Sequence, residues 1–192
     1  MNKSEYRINL VNNYLVKLNL VEEIQNYFLG KNILVTGGAG AIGSNLVIAL
    51  SKLVGGDGMI IVLDDLSAIK GDDPIDFPSM SNVMFVTGDV RSDIDLKRVI
   101  RERPTIIYHL AAFFANQNSV DYPETSADVD INGMIKLLDL AQFTNVERFI
   151  YASSGCAIYG SYGKMPLKED FISMHLTLSL IHISEPTRQE AI

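Results

Sequence analysis

Largely apolar residues in this chain gather into short runs: Ile33 to Val35, Met59 to Leu63, Val83 to Val86, Ile106 to Leu110 and Arg148 to Ala152. Runs of that length, carrying little charge, suit strands buried on both faces. Between them the apolar residues recur at helical spacing. Ile42, Leu46, Val47, Leu50 and Leu53 mark one helix. Ile94 to Arg101 marks a second, with Ser92 or Asp93 as its cap. A third spans about Ala127 to Phe143 through Ile131, Ile135, Leu138, Leu140 and Ala141. Residues 66–82, with Gly71, Pro74 and Pro78, read as a loop, and Pro104 precedes the fourth run. Strands alternating with helices imply an α/β fold, a parallel sheet covered on both faces. Ahead of the first strand, Val11, Tyr14, Leu15, Leu18, Val21, Ile24 and Phe28 predict one or two amphipathic helices docked on the domain and ended by Gly30.

The first strand runs into Thr36-Gly37-Gly38-Ala39-Gly40-Ala41-Ile42-Gly43 and then directly into a helix. Strand, glycine turn and helix form the setting in which main chain approaches a pyrophosphate and a helix N-terminus offers it free N–H groups. Gly38 and Gly40 are expected to take backbone angles that side chains forbid, and Gly43 to let the helix pack closely. The second strand ends at Asp64-Asp65. A carboxylate there accepts from ribose hydroxyls and repels an extra phosphate, so NAD is expected rather than NADP. The fold predicted is Rossmann-like, with the cofactor at the carboxyl ends of the strands.

Composition narrows the field. The 192 residues allow one ordinary domain, and a hydrophobic content of 47% argues against disorder. A net charge of −7 argues against nucleic-acid binding through a basic surface. Cys156 stands alone, so no internal disulfide is possible. No run is long enough for a membrane span, and the N-terminus lacks the pattern of a signal peptide. A cytoplasmic protein is expected, without membrane or nucleic-acid partners. No His/Cys/Asp grouping suggests a metal, and His109 reads as a satisfied structural histidine.

Five segments in order carry a family resemblance: the glycine turn, Leu63-Asp64-Asp65-Leu66-Ser67, Gly88-Asp89-Val90-Arg91, His109-Leu110-Ala111-Ala112, and Ser153-Ser154-Gly155-Cys156-Ala157-Ile158-Tyr159-Gly160. From Lys31 to Glu169 the chain resembles the extended short-chain dehydrogenases/reductases, in particular the NAD-dependent nucleotide-sugar epimerases and dehydratases of the UDP-glucose 4-epimerase type. The resemblance implies that Gly37, Gly40, Ala41, Ile42 and Gly43 line the pyrophosphate and that Asp64, with Asp65 beside it, holds the adenosine ribose. It further implies that Asp89 and Val90 flank the adenine and that Ala111 and Ala112 lie against the cofactor. It implies a nucleotide-sugar substrate and, for a full-length parent, a homodimer.

The chain departs from the family in several places. Where the family has Ser or Thr four residues before its tyrosine, this chain has Gly155, leaving Ser154 as the candidate catalytic hydroxyl. The motif Asn-Val-x-Gly reads Asp130-Ile131-Asn132-Gly133, with Asn132 as a partial substitute or surface residue. The family's proton-transfer pair, Tyr-x-x-x-Lys, does not follow, because Tyr159 is succeeded at that spacing by Gly163 and Tyr162 by Pro166. The pair is therefore read as missing from the chain. Leu178 to Arg188 resembles the translation of a transposase-based sequencing-library adapter, with Gln189 to Ile192 as barcode. The expected organisation is a helical extension over 1–30, a truncated NAD-binding domain over 31–177 and a non-native tail over 178–192. The expected role is the NAD-binding half of an epimerase or dehydratase, inactive as it stands. A non-catalytic NAD-binding regulator of the same fold is the alternative.

Overall fold

The computed structural model describes residues 3–18, 22–68, 79–113 and 116–153. Ser154 and the tail lie outside the described residues. The elements are α1 (Lys3–Leu18), α2 (Glu22–Phe28), β1 (Asn32–Thr36), α3 (Ala41–Leu53), β2 (Met59–Asp64), β3 (Val83–Thr87) and α4 (Asp93–Ile100). Then follow β4 (Ile106–His109), α5 (Asn116–Asp121), α6 (Pro123–Ala127), a π-helical turn (Asp128–Asn132), α7 (Gly133–Ala141) and β5 (Arg148–Tyr151). The five strands form a single sheet in the order β3-β2-β1-β4-β5. All four pairings are parallel, with Val35 opposite both Val62 and Tyr108.

The apolar runs behave as their composition requires. Ile33, Leu34 and Val35 of β1 and Ile60 to Leu63 of β2 are fully buried. Because side chains alternate across a strand, each run feeds two cores. Leu34, Ile61, Leu63 and Ile107 meet Leu96, Val99, Leu137 and Ala141 of α4 and α7 on one face. Ile33, Val35, Ile60, Val62 and Ile106 meet Val47, Leu50 and Val54 of α3 and its end on the other. Burying such a side chain contributes roughly 1.5–3 kcal/mol, so the two clusters fix the sheet between its helices.

The helix caps follow the sequence. Ser92 accepts from the Asp95 N–H at the start of α4, and Gly30 takes a φ of +69° just past α2, as the αL ending of a helix favours. The N-terminal segment forms two helices. Phe28 and Tyr27 of α2 join the second core, whereas α1 buries its apolar face only in part. Ile8, Val11 and Leu15 are half-buried, and Tyr6, Leu10 and Tyr14 are about half exposed or more. Two features differ from the expected pattern. The helix placed at 127–143 begins at Pro123 and passes through the π-helical turn. Helix α5 carries no apolar periodicity that would have announced it.

Candidate cofactor site

Three strand ends converge at the carboxyl edge of the sheet: Thr36 of β1, Asp64 of β2 and His109 of β4. Thr36 leads into the glycine turn. There Gly37, not Gly38 or Gly40, has the left-handed backbone, with φ +69°. A Cβ on Gly37 would lie 2.7 Å from the Ala111 nitrogen and 2.8 Å from the Leu110 carbonyl carbon. The turn is therefore pressed against the end of β4, and that contact demands glycine. Gly38 is glycine because a Cβ would meet Val62 Cγ1 at 2.6 Å. Gly43 is glycine because its Cβ would fall 2.2 Å from the Gly37 carbonyl oxygen, so the first turn of α3 rests directly on the loop.

Gly40 is different. Its φ of −66° and ψ of 172° are open to any residue, and a Cβ would touch only the Gly37 oxygen, at 3.3 Å. The fold constrains this position far less than Gly37, Gly38 or Gly43. The space belongs to the front of α3, where Gly40 is the cap residue and no side chain satisfies the free N–H groups. Ala41 and Ile42 are exposed beside it. A bare helix start with an unfilled cradle suits a phosphate group.

Asp64 closes the other side. Its Oδ2 accepts from the Ala39 N–H at 2.9 Å, which ties the end of β2 to the glycine turn. Its Oδ1 accepts from the Leu66 N–H at 2.8 Å, and this bond holds Leu66 at a φ of +63°. Such an angle costs about 1 kcal/mol or more in a non-glycine residue. The carboxylate is thus fixed in place with lone pairs left for a diol. Asp65 is exposed beside it and accepts from the Ser67 N–H.

Asp89 follows β3 and is gripped by Arg91, whose Nε lies 2.9 and 3.0 Å from the two carboxylate oxygens. That hydrogen bonding, against some desolvation, holds the Asp89 carboxyl below the usual carboxylate range. Val90 is buried and packs against Gly133 at the start of α7. Ala111 donates its N–H to Thr36 Oγ1 at 3.3 Å; it is half-buried and Ala112 is exposed.

Sequence reasoning missed two residues. Thr36 Oγ1 holds Ala111 and also pairs with His109 Nδ1 at 2.7 Å. His109 is satisfied at that nitrogen alone: Nε2 is buried and has no hydrogen-bond partner. Its ring lies against Phe149 and Tyr151, and burial pushes it below the ordinary imidazole range. Asp130, on the π-helical turn, accepts from the Phe113 N–H at 2.8 Å and from the Ser126 hydroxyl at 2.9 Å. It, rather than Asn132, anchors the segment after β4; Asn132 is exposed and donates to Asp128. The substitution at the motif's first position was the signal.

The reading of the tyrosine–lysine pair also needs correction. The spacing does occur, at Tyr27 and Lys31. It lies at the opposite edge of the sheet, at the entry to β1. Lys31 Nζ is 2.7 Å from Glu147 and 4.7 Å from the centre of the Tyr27 ring. It is remote from the carboxyl edge and takes no part in the site. Among the described residues no group of three or more His, Cys, Asp or Glu could hold a metal, and no helix is long and apolar enough to cross a membrane.

The chain is similar to known proteins in sequence and in fold. Residues 33–179 match the NAD dependent epimerase/dehydratase family. A UDP-glucose 4-epimerase of Mycolicibacterium smegmatis is 37% identical over 71% of this chain and 43% of its own length. An epimerase of Methanothermobacter thermautotrophicus has a solved structure that is similar at 40% identity and a TM-score of 0.74, over 91% of this chain and 52% of that one. The UDP-glucose 4-epimerase of Thermus thermophilus, solved in complex with NAD, is 29% identical with a TM-score of 0.62 over 83% of this chain and 51% of that one. The chain spans about half or less of the length of each.

Proposed function

The chain belongs to the NAD dependent epimerase/dehydratase family, and from that premise we propose that it is the cofactor-binding part of a nucleotide-sugar epimerase or dehydratase. The observation that carries the reading is the side-chain-free turn at Gly40, set at the start of α3 and flanked by a fixed Asp64. The α3 N–H groups would take the pyrophosphate. Asp64 would take the adenosine ribose hydroxyls, with Asp65 at its side. Asp89 and Val90 would border the adenine. Ala111 and Ala112 would leave room for the cofactor past β4. Held there, NAD would supply a reversible hydride acceptor for a sugar carbon. The residues in hand bind and orient; Thr36 and Asp130 fix the main chain over which the nicotinamide would lie. UDP-glucose 4-epimerases among the relatives support a nucleotide sugar as substrate and, in a complete enzyme, a homodimer is expected.

Titration with NAD and NADP tests the site. The unmutated chain should bind NAD and discriminate against NADP. Asp64→Ala should weaken NAD by about ten- to hundredfold and narrow the gap between the two, since a carboxylate–hydroxyl contact contributes roughly 1.5–3 kcal/mol. A preference for NADP in the unmutated chain would sink the assignment of Asp64.

A further inference from the structure

In the turn after β3, Arg91 takes up both carboxylate oxygens of Asp89. Oδ1 accepts from the Arg91 main-chain N–H at 2.8 Å and from Nε at 3.0 Å. Oδ2 accepts from Nε at 2.9 Å and from Nη2. An ionised carboxylate has about four acceptor positions, so little is left for a further donor. The turn that carries the pair is held from both sides. The Asp89 N–H donates to Asp95 Oδ2 at 3.1 Å, and Lys136 Nζ donates to the Arg91 carbonyl at 2.7 Å while pairing with Asp93 at 3.0 Å. Val90, between the two residues, is buried against Gly133. The guanidinium, by contrast, has donors to spare. Nη1 lies 3.9 Å from Asp128 Oδ2, beyond hydrogen-bond reach, and the Arg91 side chain is 38% exposed.

We infer that Arg91 reads the adenine of the cofactor and that Asp89 is the positioning residue that holds Arg91 in place. The inference rests on the purine lying beside Asp89 and Val90, as proposed above. A purine edge offers ring nitrogens that accept and, in adenine, one amine that donates. A carboxylate suits the amine. A guanidinium suits the ring nitrogens and, being planar, the ring face. With Asp89 spent on Arg91, the groups left for the base are donors, and no carboxylate lone pair is set for the amine. Asp89 neutralises the charge of Arg91, so the contact works through the donors and the plane of the guanidinium and needs no net field. The consequence is a base site indifferent to the exocyclic amine.

The experiment is a titration of the full 192-residue chain with NAD and with deamino-NAD, in which an oxygen replaces the adenine amine. It uses the unmutated protein, Asp89→Ala and Arg91→Gln. Each ratio of affinities is taken on one protein, so a smaller folded fraction does not move it. The unmutated chain should bind the two dinucleotides within about threefold of each other, less than one charge-assisted hydrogen bond would give. Asp89→Ala should weaken both by about three- to tenfold and leave their ratio unchanged, because Arg91 loses its hold. Arg91→Gln should weaken deamino-NAD by about tenfold and NAD by less, since the freed Asp89 carboxylate can then take the amine. The ratio thus turns toward NAD only in that variant. A preference for NAD of about tenfold in the unmutated chain, removed by Asp89→Ala, overturns the inference, because the carboxylate then reads the amine. So does an Arg91→Gln variant that binds both dinucleotides as the unmutated chain does, or weakens both equally. Each of these leaves the glycine turn and Asp64 standing. Failure of the unmutated chain to bind either dinucleotide overturns the proposed cofactor site and this inference together.

Discussion

Gly37 and Gly40 stand three residues apart in one turn, and the fold uses them for opposite purposes. Gly37 has a left-handed backbone and a neighbour's main chain where its Cβ would be. Gly37→Ala should therefore cost roughly 2–4 kcal/mol of stability, from strain and forced separation of the turn from β4. Gly40 has an ordinary backbone and only the Gly37 oxygen, 3.3 Å from where a Cβ would lie, so Gly40→Ala should cost no more than about 1 kcal/mol of unfolding free energy while weakening NAD. Chemical denaturation and cofactor titration of the two variants separate the roles. Swapped results would show that the cradle has been placed at the wrong glycine. His109 gives a pH dependence. Burial lowers its folded pKa, with Asp130 opposing in part. The unfolded chain then binds the proton first as pH falls, so stability rises with pH through this window. The contribution is complete above the unfolded value, about 6.5, and is lost as pH falls from there toward the folded pKa. Unfolding free energies measured between pH 7.5 and pH 5 should slope accordingly, and His109→Gln should flatten the slope.

At the scale of elements, α1 is held less firmly than the sheet it lies on. It contributes half-buried Ile8, Val11 and Leu15, whereas Ile33 to Val35 in β1 are wholly buried. Amides of α1 should exchange by local opening, at rates at least about a hundredfold above those of β1, because few buried contacts oppose fraying. Equal protection would mean that the extension unfolds only with the domain. The strands were legible because burial on both faces leaves a run no place for charge. The glycine turn was legible because strand and helix patterns bracket it. What escaped notice was local and polar. Helix α5, Asn116–Asp121, is built from residues with no apolar period. The π-helical turn has no pattern of its own, and its reason lies in a tertiary bond, Asp130 to the Phe113 N–H. The positive φ was expected at Gly38 and Gly40 because motif spacing does not reveal which glycine faces β4. Ser154, the proposed hydroxyl, lies outside the described residues.

At the scale of the whole molecule the question is turnover. The carboxyl edge brings together the groups proposed to bind and orient a dinucleotide. Among the described residues it has no tyrosine–lysine pair. The spacing at Tyr27 and Lys31 sits at the far edge, with the lysine committed to Glu147. After Tyr159 and Tyr162 the sequence supplies Gly163 and Pro166 in place of the lysine. General acid–base groups contribute typically about a hundred- to ten-thousand-fold. Correct placement of a substrate contributes roughly 7–11 kcal/mol of the barrier, and the chain spans about half or less of the relatives that are named as epimerases. The 192-residue chain should therefore bind NAD yet give no detectable interconversion of UDP-glucose and UDP-galactose in a coupled assay at micromolar protein. A chain extended with the remainder of an epimerase, carrying the pair after β5, should turn over and lose activity with Gly40→Val. Turnover by the 192-residue chain that disappears with Tyr27→Phe would move the proton-transfer site to the opposite edge of the sheet. It would separate the proton-transfer chemistry from the glycine turn.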